Sequence, residues 1–138
     1  MSTDTQMDPR FPSAQEYSAE QARYPDLAVV DIRSRQKDVV DRYRNEVLSN
    51  VNDDCLRLAV FEGEYRWHRH PDSDEMFLVV AGRLQIDIAG RDTVELTEWQ
   101  YFVVPAGVAH RTRAIGRTVN LTYERRGAAT LFLDGPDG

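Results

Sequence analysis

The sequence is short of several features, and each shortage excludes a class of protein. It has one cysteine, Cys55, in 138 residues, so no disulfide can form within the chain, and this fits a reducing compartment. No apolar run approaches the ~20 residues that a membrane-spanning helix needs. The N-terminus, MSTDTQMDPR, has neither the basic nor the apolar region of a signal peptide. We therefore expect a cytoplasmic protein without a membrane partner.

Basic residues are also in the minority. The chain has 17 Lys and Arg against 23 Asp and Glu, a net charge of -6. Such a surplus of negative charge argues against nucleic acids and anionic membranes as partners. The hydrophobic content of 41% is ordinary for a soluble globular protein, and 138 residues are enough for one domain with a sizeable core.

The chain has only three histidines, and their spacing is informative. His68 and His70 are one residue apart, so in an extended strand both side chains leave the same face. The turn-like segment 71–74 separates them from Glu75, which opens the apolar stretch 76–81. With His110, three imidazoles and one carboxylate make a mixed nitrogen and oxygen set that suits a divalent transition metal. No cysteine accompanies them, which argues against a closed structural zinc site.

Beyond residue 63 the pattern predicts repeated short strands. Turn residues recur every ~8–12 positions, which is typical of a β-sandwich or barrel. The predicted strands cover residues 65–70, 75–81, 84–88, 93–96, 101–104, 109–114, 118–123 and 130–133. Before them, residues 27–32 and 55–61 are also predicted strands, and residues 34–43 permit a helix. Ser13 and Glu16 form a capping box, which predicts a short helix over residues 13–24.

Two motifs in this sequence resemble those of the cupins. The first cupin motif, G-x5-H-x-H-x(3,4)-E-x6-G, is matched by Gly63, His68, His70, Glu75 and Gly82, with four residues in place of five after Gly63. The second, G-x5-P-x-G-x2-H-x3-N, is matched at three positions and departs from the family at two others. The matches are Pro105, Gly107 and His110, and the departures are Trp99 for the glycine and Ala114 for the asparagine.

The resemblance implies a fold, a metal and a set of ligands. The fold would be all-β, a cupin-type β-barrel of two antiparallel sheets with a short N-terminal helical segment. Residues 1–26 would form an arm with that helix, residues 27–134 the barrel, and residues 135–138 a tail. The family's four metal-ligand positions fall on His68, His70, Glu75 and His110. The expected cofactor is one divalent transition metal: iron, nickel, manganese, cobalt or zinc.

The family hosts many reactions, so several functions stay open at this point. The first is a metal-dependent enzyme that acts on a small organic molecule, with a dioxygenase-type oxidoreductase as the leading candidate. The second is a non-oxidative isomerase, lyase or dehydratase, and the third is a non-catalytic module that binds or senses a small ligand. Glu75 is the candidate catalytic base besides its role as a ligand.

Two further residues are candidates for substrate binding. Alternation predicts that Arg66 shares the inner face with His68, where it would anchor a carboxylate, although an outward salt bridge is an equal alternative. Tyr123 is a candidate acid beside the metal, or a core tyrosine with a satisfied hydroxyl group. Finally, Met76, Leu78 and Val80 are apolar on the face opposite Glu75. Their cover would come from the N-terminal segment or from a second subunit, and we expect a homodimer.

Overall fold

The computed structural model describes residues 11–138, which form two short helices and nine antiparallel strands. The helices are α1 (Ala14–Ala19) and α2 (Ile32–Lys37). The strands are β1 (Tyr43–Val51), β2 (Asp54–Glu64), β3 (His68–Arg69), β4 (Glu75–Ala81), β5 (Leu84–Ile88), β6 (Val94–Leu96), β7 (Tyr101–Val104), β8 (His110–Arg125) and β9 (Leu131–Phe132). This confirms the predicted all-β fold with a short N-terminal helix. Among the described residues, no helix is long and apolar enough to cross a membrane.

Strand β8 organises the barrel because β2, β3, β4 and β5 all pair with it. The part before residue 115 pairs with β5, with β3 and with the last two residues of β2, and the part after residue 117 pairs with the rest of β2 and with β4. The register with β2 shifts between Phe61 and Gly63, where the two strands bend together. The predicted strands 109–114 and 118–123 are therefore two halves of one continuous strand.

Two apolar clusters lie on the two faces of the curled sheet. The interior cluster includes Tyr43, Phe61, Phe77, Leu84 and Ile86. The outer cluster is formed by Val39, Leu48, Leu58, Val60, Val119 and Leu121. Leu78 and Val80 pack against the outer cluster together with Tyr24 and Ile32. The N-terminal segment thus covers part of the outer face of β4, which is the first of the two sources of cover that the sequence predicts.

The segment before β1 differs from the prediction. Helix α1 is capped by Ser13 and Glu16 as expected, but it ends at Ala19. Residues 27–32, predicted as a strand, are not a strand, and the side chains of Leu27 and Val29 are fully exposed. Helix α2 begins at Ile32, after Asp31 accepts a hydrogen bond from the Ser34 amide. The first ten residues of the predicted arm (residues 1–26) lie outside the described residues, and the domain boundary at residue 26 stays a prediction.

Two turn positions explain how the strands are connected. Gly82 has a φ of +95°, and a Cβ atom there would lie 2.6 Å from Thr118 Oγ1, so only glycine fits between β4 and β5. Trp99, which replaces the glycine of the second cupin motif, has a φ of +67°. The backbone conformation that favours glycine is therefore kept even though the residue is tryptophan.

Candidate metal centre

Three histidines and one glutamate meet inside the barrel. His68 in β3 is the register partner of His110, the first residue of β8. Glu75 is the first residue of β4, and His70 directly follows β3. All four residues are buried, and one potential ligand atom from each lies within 4.8 Å of the others. The structure thus brings together all four residues that the sequence predicts as metal ligands.

The rings are oriented by backbone carbonyl groups. In His68 the Nδ1 atom lies 2.8 Å from the carbonyl oxygen of Arg66. In His70 it lies 3.0 Å from that of Ala129, and in His110 it lies 2.9 Å from that of Val108. Because a carbonyl oxygen only accepts hydrogen bonds, each Nδ1 carries a proton. The Nε2 atoms are then the ones available to a metal, and fixed rings of this kind are typical of histidine ligands.

Strong charge interactions couple Glu75 to two of the imidazoles. Glu75 Oε1 lies 3.2 Å from His70 Nε2 and 3.3 Å from His110 Nε2. Burial raises the pKa of the Glu75 carboxyl, but the charge of His70 and the close contacts with the Nε2 atoms of His110 and His70 outweigh it and hold the pKa well below its usual range. Burial lowers the pKa of His70, yet attraction from Glu75 raises it to about 9. Burial and the other two imidazoles lower the pKa of His68 well below its usual value.

These residues fit a divalent metal. The Nε2 atom of His70 is buried without a well-formed hydrogen bond, and without a cation the Glu75 charge is balanced by a proton on that ring. A metal ion would take over this charge balance and use the lone pairs of all three Nε2 atoms. His68, His70, Glu75 and His110 could therefore hold one ion, as the sequence predicts, without fixing which metal it is.

A cavity with both polar and apolar walls adjoins the cluster. It has a volume of about 30 Å³ and is lined in part by His68, Glu75, Tyr65, Asn120 and Thr122. Alternation along the second half of β8 sends Asn120 and Thr122 inward, while the intervening apolar side chains join the outer cluster. The inner wall of the barrel beside the candidate metal site is thus more polar than an ordinary core.

Helix α1 contributes Tyr17 to the same cavity. The Tyr17 hydroxyl group donates a hydrogen bond of 2.6 Å to Glu124 Oε2, and its ring stacks on the His70 imidazole with 5.6 Å between centroids. The Arg57 guanidinium lies 3.7 Å from the Tyr17 ring centroid and donates to Glu124 Oε2 at 3.1 Å. Burial and the nearby charge of Glu75 raise the pKa of Glu124 to about 7. A buried network of hydrogen bonds and ring contacts therefore reaches from helix α1 to the edge of the metal cluster.

The two predicted substrate-binding residues do not line the cavity beside the cluster, and their role stays a prediction. Residues 65–67 are not part of a strand, so the alternation that placed Arg66 inward does not apply, and Tyr65 lines the cavity instead. The Arg66 guanidinium lies 3.9 Å from the Phe132 ring centroid. Tyr123 is half-buried and lines an outer cleft with Asp54 and Met76. The structure does not bring Arg66 or Tyr123 into the four-residue cluster.

Sequence reasoning missed the residues that surround the cluster. Thr118, Asn120, Thr122 and Glu124 alternate with apolar residues, so the sequence held a signal for an inward polar face of β8. Tyr17 and Arg57 had no such signal, because they approach Glu124 from 107 and 67 positions away in the chain.

The fold and the cluster define a small barrel of the cupin type with a candidate site for one metal. Residues 57–123 match the family model described as "Cupin domain". A cupin-2 domain containing protein of Shewanella frigidimarina is 30% identical with a TM-score of 0.67, over 71% of this chain and 95% of that one. The chain therefore belongs to the cupin family.

Two other similar proteins are an uncharacterized protein and a lyase. The uncharacterized protein YdbB of Bacillus subtilis is 46% identical over 97 residues, which are 70% of this chain and 86% of that protein. The DMSP lyase DddQ of Ruegeria pomeroyi is 23% identical with a TM-score of 0.58, over 73% of this chain and 56% of that one. At this level of identity the second similarity shows the fold alone.

Proposed function

We propose that this cupin is an enzyme that uses one divalent transition metal to act on a small organic molecule in the cytoplasm. The observation that carries the proposal is the cluster of His68, His70, Glu75 and His110, in which backbone carbonyl groups leave the Nε2 atoms available. A bound metal supplies Lewis-acid polarisation of a chelating substrate and a binding position for dioxygen. Dioxygenase-type oxidation is our first candidate reaction.

The residues of the chain have distinct tasks in this proposal. His68, His70 and His110 hold the metal, and Glu75 adds charge and is the candidate base. Tyr17 and the aromatic ring of Tyr65 enclose the cavity and restrict water there. A small cavity beside the cluster favours a small molecule as the ligand.

A second candidate is supported by a separate observation. Glu124, with a pKa of about 7, is hydrogen-bonded to the Tyr17 hydroxyl group beside the metal cluster. A carboxyl group with a pKa near neutrality is suited to accept and return a proton. This pair favours a non-oxidative isomerase, lyase or dehydratase, in which protons move without consumption of dioxygen.

The metal content of the purified protein tests the common part of both candidates. We expect about one equivalent of a transition metal in the wild type, as in other single-metal sites. The His68→Ala/His110→Ala variant should contain almost none, because two of its four ligands are lost. Elemental analysis of untagged protein purified without chelator measures this. Arg69→Ala is the matched control, since Arg69 lies between the two motif histidines and is exposed.

The identity of the bound metal and the uptake of oxygen, measured with an oxygen electrode, then distinguish the reaction classes. Iron or nickel together with oxygen uptake in the presence of substrates with vicinal oxygen atoms would favour the dioxygenase. Turnover without oxygen uptake would favour the proton-transfer reaction. Saturable ligand binding without turnover would leave a binding module. A folded wild-type protein that is empty and refuses added metals would contradict the proposal.

We also propose that the chain forms a homodimer. Leu27 and Val29 project from the body with relative exposures of 107% and 98%. The edge strand β7 also presents Tyr101 and Val103 to solvent. Pairing of two copies would cover such apolar surface, which is unfavourable in water.

Sedimentation at micromolar concentration tests the homodimer. We expect the wild type to sediment as a dimer and the Leu27→Asp/Val29→Asp variant to sediment as a monomer, because charges at these positions oppose burial. Val51→Asp is the control, since Val51 is also exposed but lies at the β1–β2 turn. A monomeric wild type would contradict the dimer.

A further inference from the structure

The inner face of β8 carries three buried oxygen atoms that lack hydrogen-bond partners in the described structure. They are Asn120 Oδ1, Thr122 Oγ1 and Glu124 Oε1. Their residues are 2%, 3% and 3% exposed, so bulk water does not supply the missing partners. Polar groups in protein interiors are nearly always satisfied, and an unsatisfied one therefore needs an explanation. We name these three residues the β8 row.

The β8 row begins beside the candidate metal centre. Glu124 is the cross-strand neighbour of Glu75, and Thr122 is the neighbour of Phe77. Asn120 and Thr122 line the same cavity as His68 and Glu75. Since alternate residues of a strand are about 7 Å apart, the row extends about 14 Å from Glu124 to Asn120. Glu124 does not line this cavity, so a molecule that is bound to the metal and extends into the cavity would meet Thr122 and Asn120 of the row.

The chemistry of the three oxygen atoms specifies the missing partner. Asn120 Oδ1 accepts hydrogen bonds only, and so does an ionised Glu124 Oε1, so both require donors. Thr122 has an unused donor as well as unused acceptor positions. An ammonium group would satisfy the acceptors but would leave the Thr122 proton without a partner. A hydroxyl group both donates and accepts, and it therefore matches the whole row.

We infer that the β8 row is a subsite for hydroxyl groups, and that the ligand of this protein is a short polyhydroxylated molecule that also chelates the metal. The inference rests on the proposed function and names its substrate class. The volume of about 30 Å³ beside the cluster has room for only about one or two water-sized groups, so only a hydroxyl-bearing end of the ligand would enter it. Phe61 and Phe77 also line the cavity, so apolar walls flank the polar row.

Binding of two probes that differ by one hydroxyl group tests the inference. Glycerate and lactate both offer a carboxylate and a neighbouring hydroxyl group to a metal, but only glycerate has a terminal hydroxyl group. We expect metal-loaded wild-type protein to bind glycerate at least about fivefold more tightly, the effect of one hydrogen bond. Titration calorimetry gives both dissociation constants without requiring turnover.

Variants of β8 assign the preference to the row. In Thr122→Val the ratio should fall to about one, because valine keeps the shape and loses the hydroxyl group. Thr122→Ser keeps a hydroxyl group and should keep the preference, which separates recognition from damage to the fold. Tyr123→Phe is the matched control, because it removes a hydroxyl group from the next residue on the outer face, and its ratio should equal that of the wild type.

The outcomes distinguish this inference from the proposed function. Equal affinities in the wild type, or no binding of either probe to metal-loaded protein, would overturn the hydroxyl subsite and leave the metal centre intact. An unchanged preference in Thr122→Val would also overturn it, since ordered water would then satisfy the row. Protein that binds no metal in the same preparations would instead contradict the proposed function, and the inference with it.

Discussion

Replacement of Arg57 by methionine is expected to lower the free energy of unfolding by about 3–5 kcal/mol, because it breaks a buried ion pair on one side only. The Arg57 side chain is 1% exposed, and Glu124, its partner at 3.1 Å, is 0% exposed. Its remaining donors bind Glu20, Asn45 and the Tyr17 carbonyl oxygen. Without Arg57, all of these acceptors lose a partner, and Glu124 loses its partner in the interior. Urea denaturation followed by circular dichroism measures the difference.

Two other variants make this expectation specific. Arg83→Met removes an arginine whose side chain is 55% exposed and pairs with Glu95 at the surface, so it should leave the urea midpoint nearly unchanged. Arg57→Met/Glu124→Leu removes both buried charges and should be more stable than Arg57→Met alone. If Arg57→Met unfolds at the same urea concentration as Arg83→Met, the network does not stabilise the fold as described.

Local patterns in the sequence explain which parts of the site could be predicted. The four candidate ligands are found by their local pattern, because strand alternation orients His68 and His70 together and a short turn brings Glu75 beside them. The predicted strands at residues 75–81, 84–88 and 101–104 have the observed bounds for a similar reason. Their apolar alternation and their turn residues are local features of the sequence.

The errors of prediction arise where local pattern and tertiary packing disagree. The apolar run 27–32 has strand propensity, but the structure gives it no neighbouring strand, so the backbone stays irregular. The alternation that favours an inward Arg66 requires a strand, and β3 begins only at His68, so the role of Arg66 stays a prediction. Tyr17 enters the site from a separate helix, and no periodicity within α1 indicates its contact with Glu124.

The polar interior also bears on what the protein does. A core built only for stability would fill the space beside Glu75 with apolar side chains, since a buried unsatisfied oxygen atom costs about 1–3 kcal/mol. Instead, β8 directs Asn120, Thr122 and Glu124 into that space. Destabilising groups of this kind are ordinarily kept where they bind a ligand. The same three residues would therefore lower the stability of the free protein and favour binding of the proposed ligand.

The affinity for a divalent metal is expected to rise about tenfold per pH unit up to a pH of about 9, because one proton leaves the site for each metal bound. In the metal-free protein the pKa of His70 is about 9, raised by Glu75 despite burial. Below that pH the ring holds a proton on Nε2, and a metal must displace it. Above it the ring is already neutral, so the affinity levels off. Competition with a chelator of known pH dependence measures the slope.

A variant of Glu75 separates this proton from other titrating groups. In Glu75→Gln the neutral amide no longer attracts a proton to His70, so the pKa of His70 should fall to its usual value of about 6.5 or below. Metal binding should be weaker in this variant, and its affinity should stop rising with pH once the pH exceeds this lower pKa of His70. Proton release in a weakly buffered solution should fall from about one per metal to almost none at pH ~8. An affinity independent of pH between about 7 and 9 in the wild type would show that His70 is neutral before the metal binds.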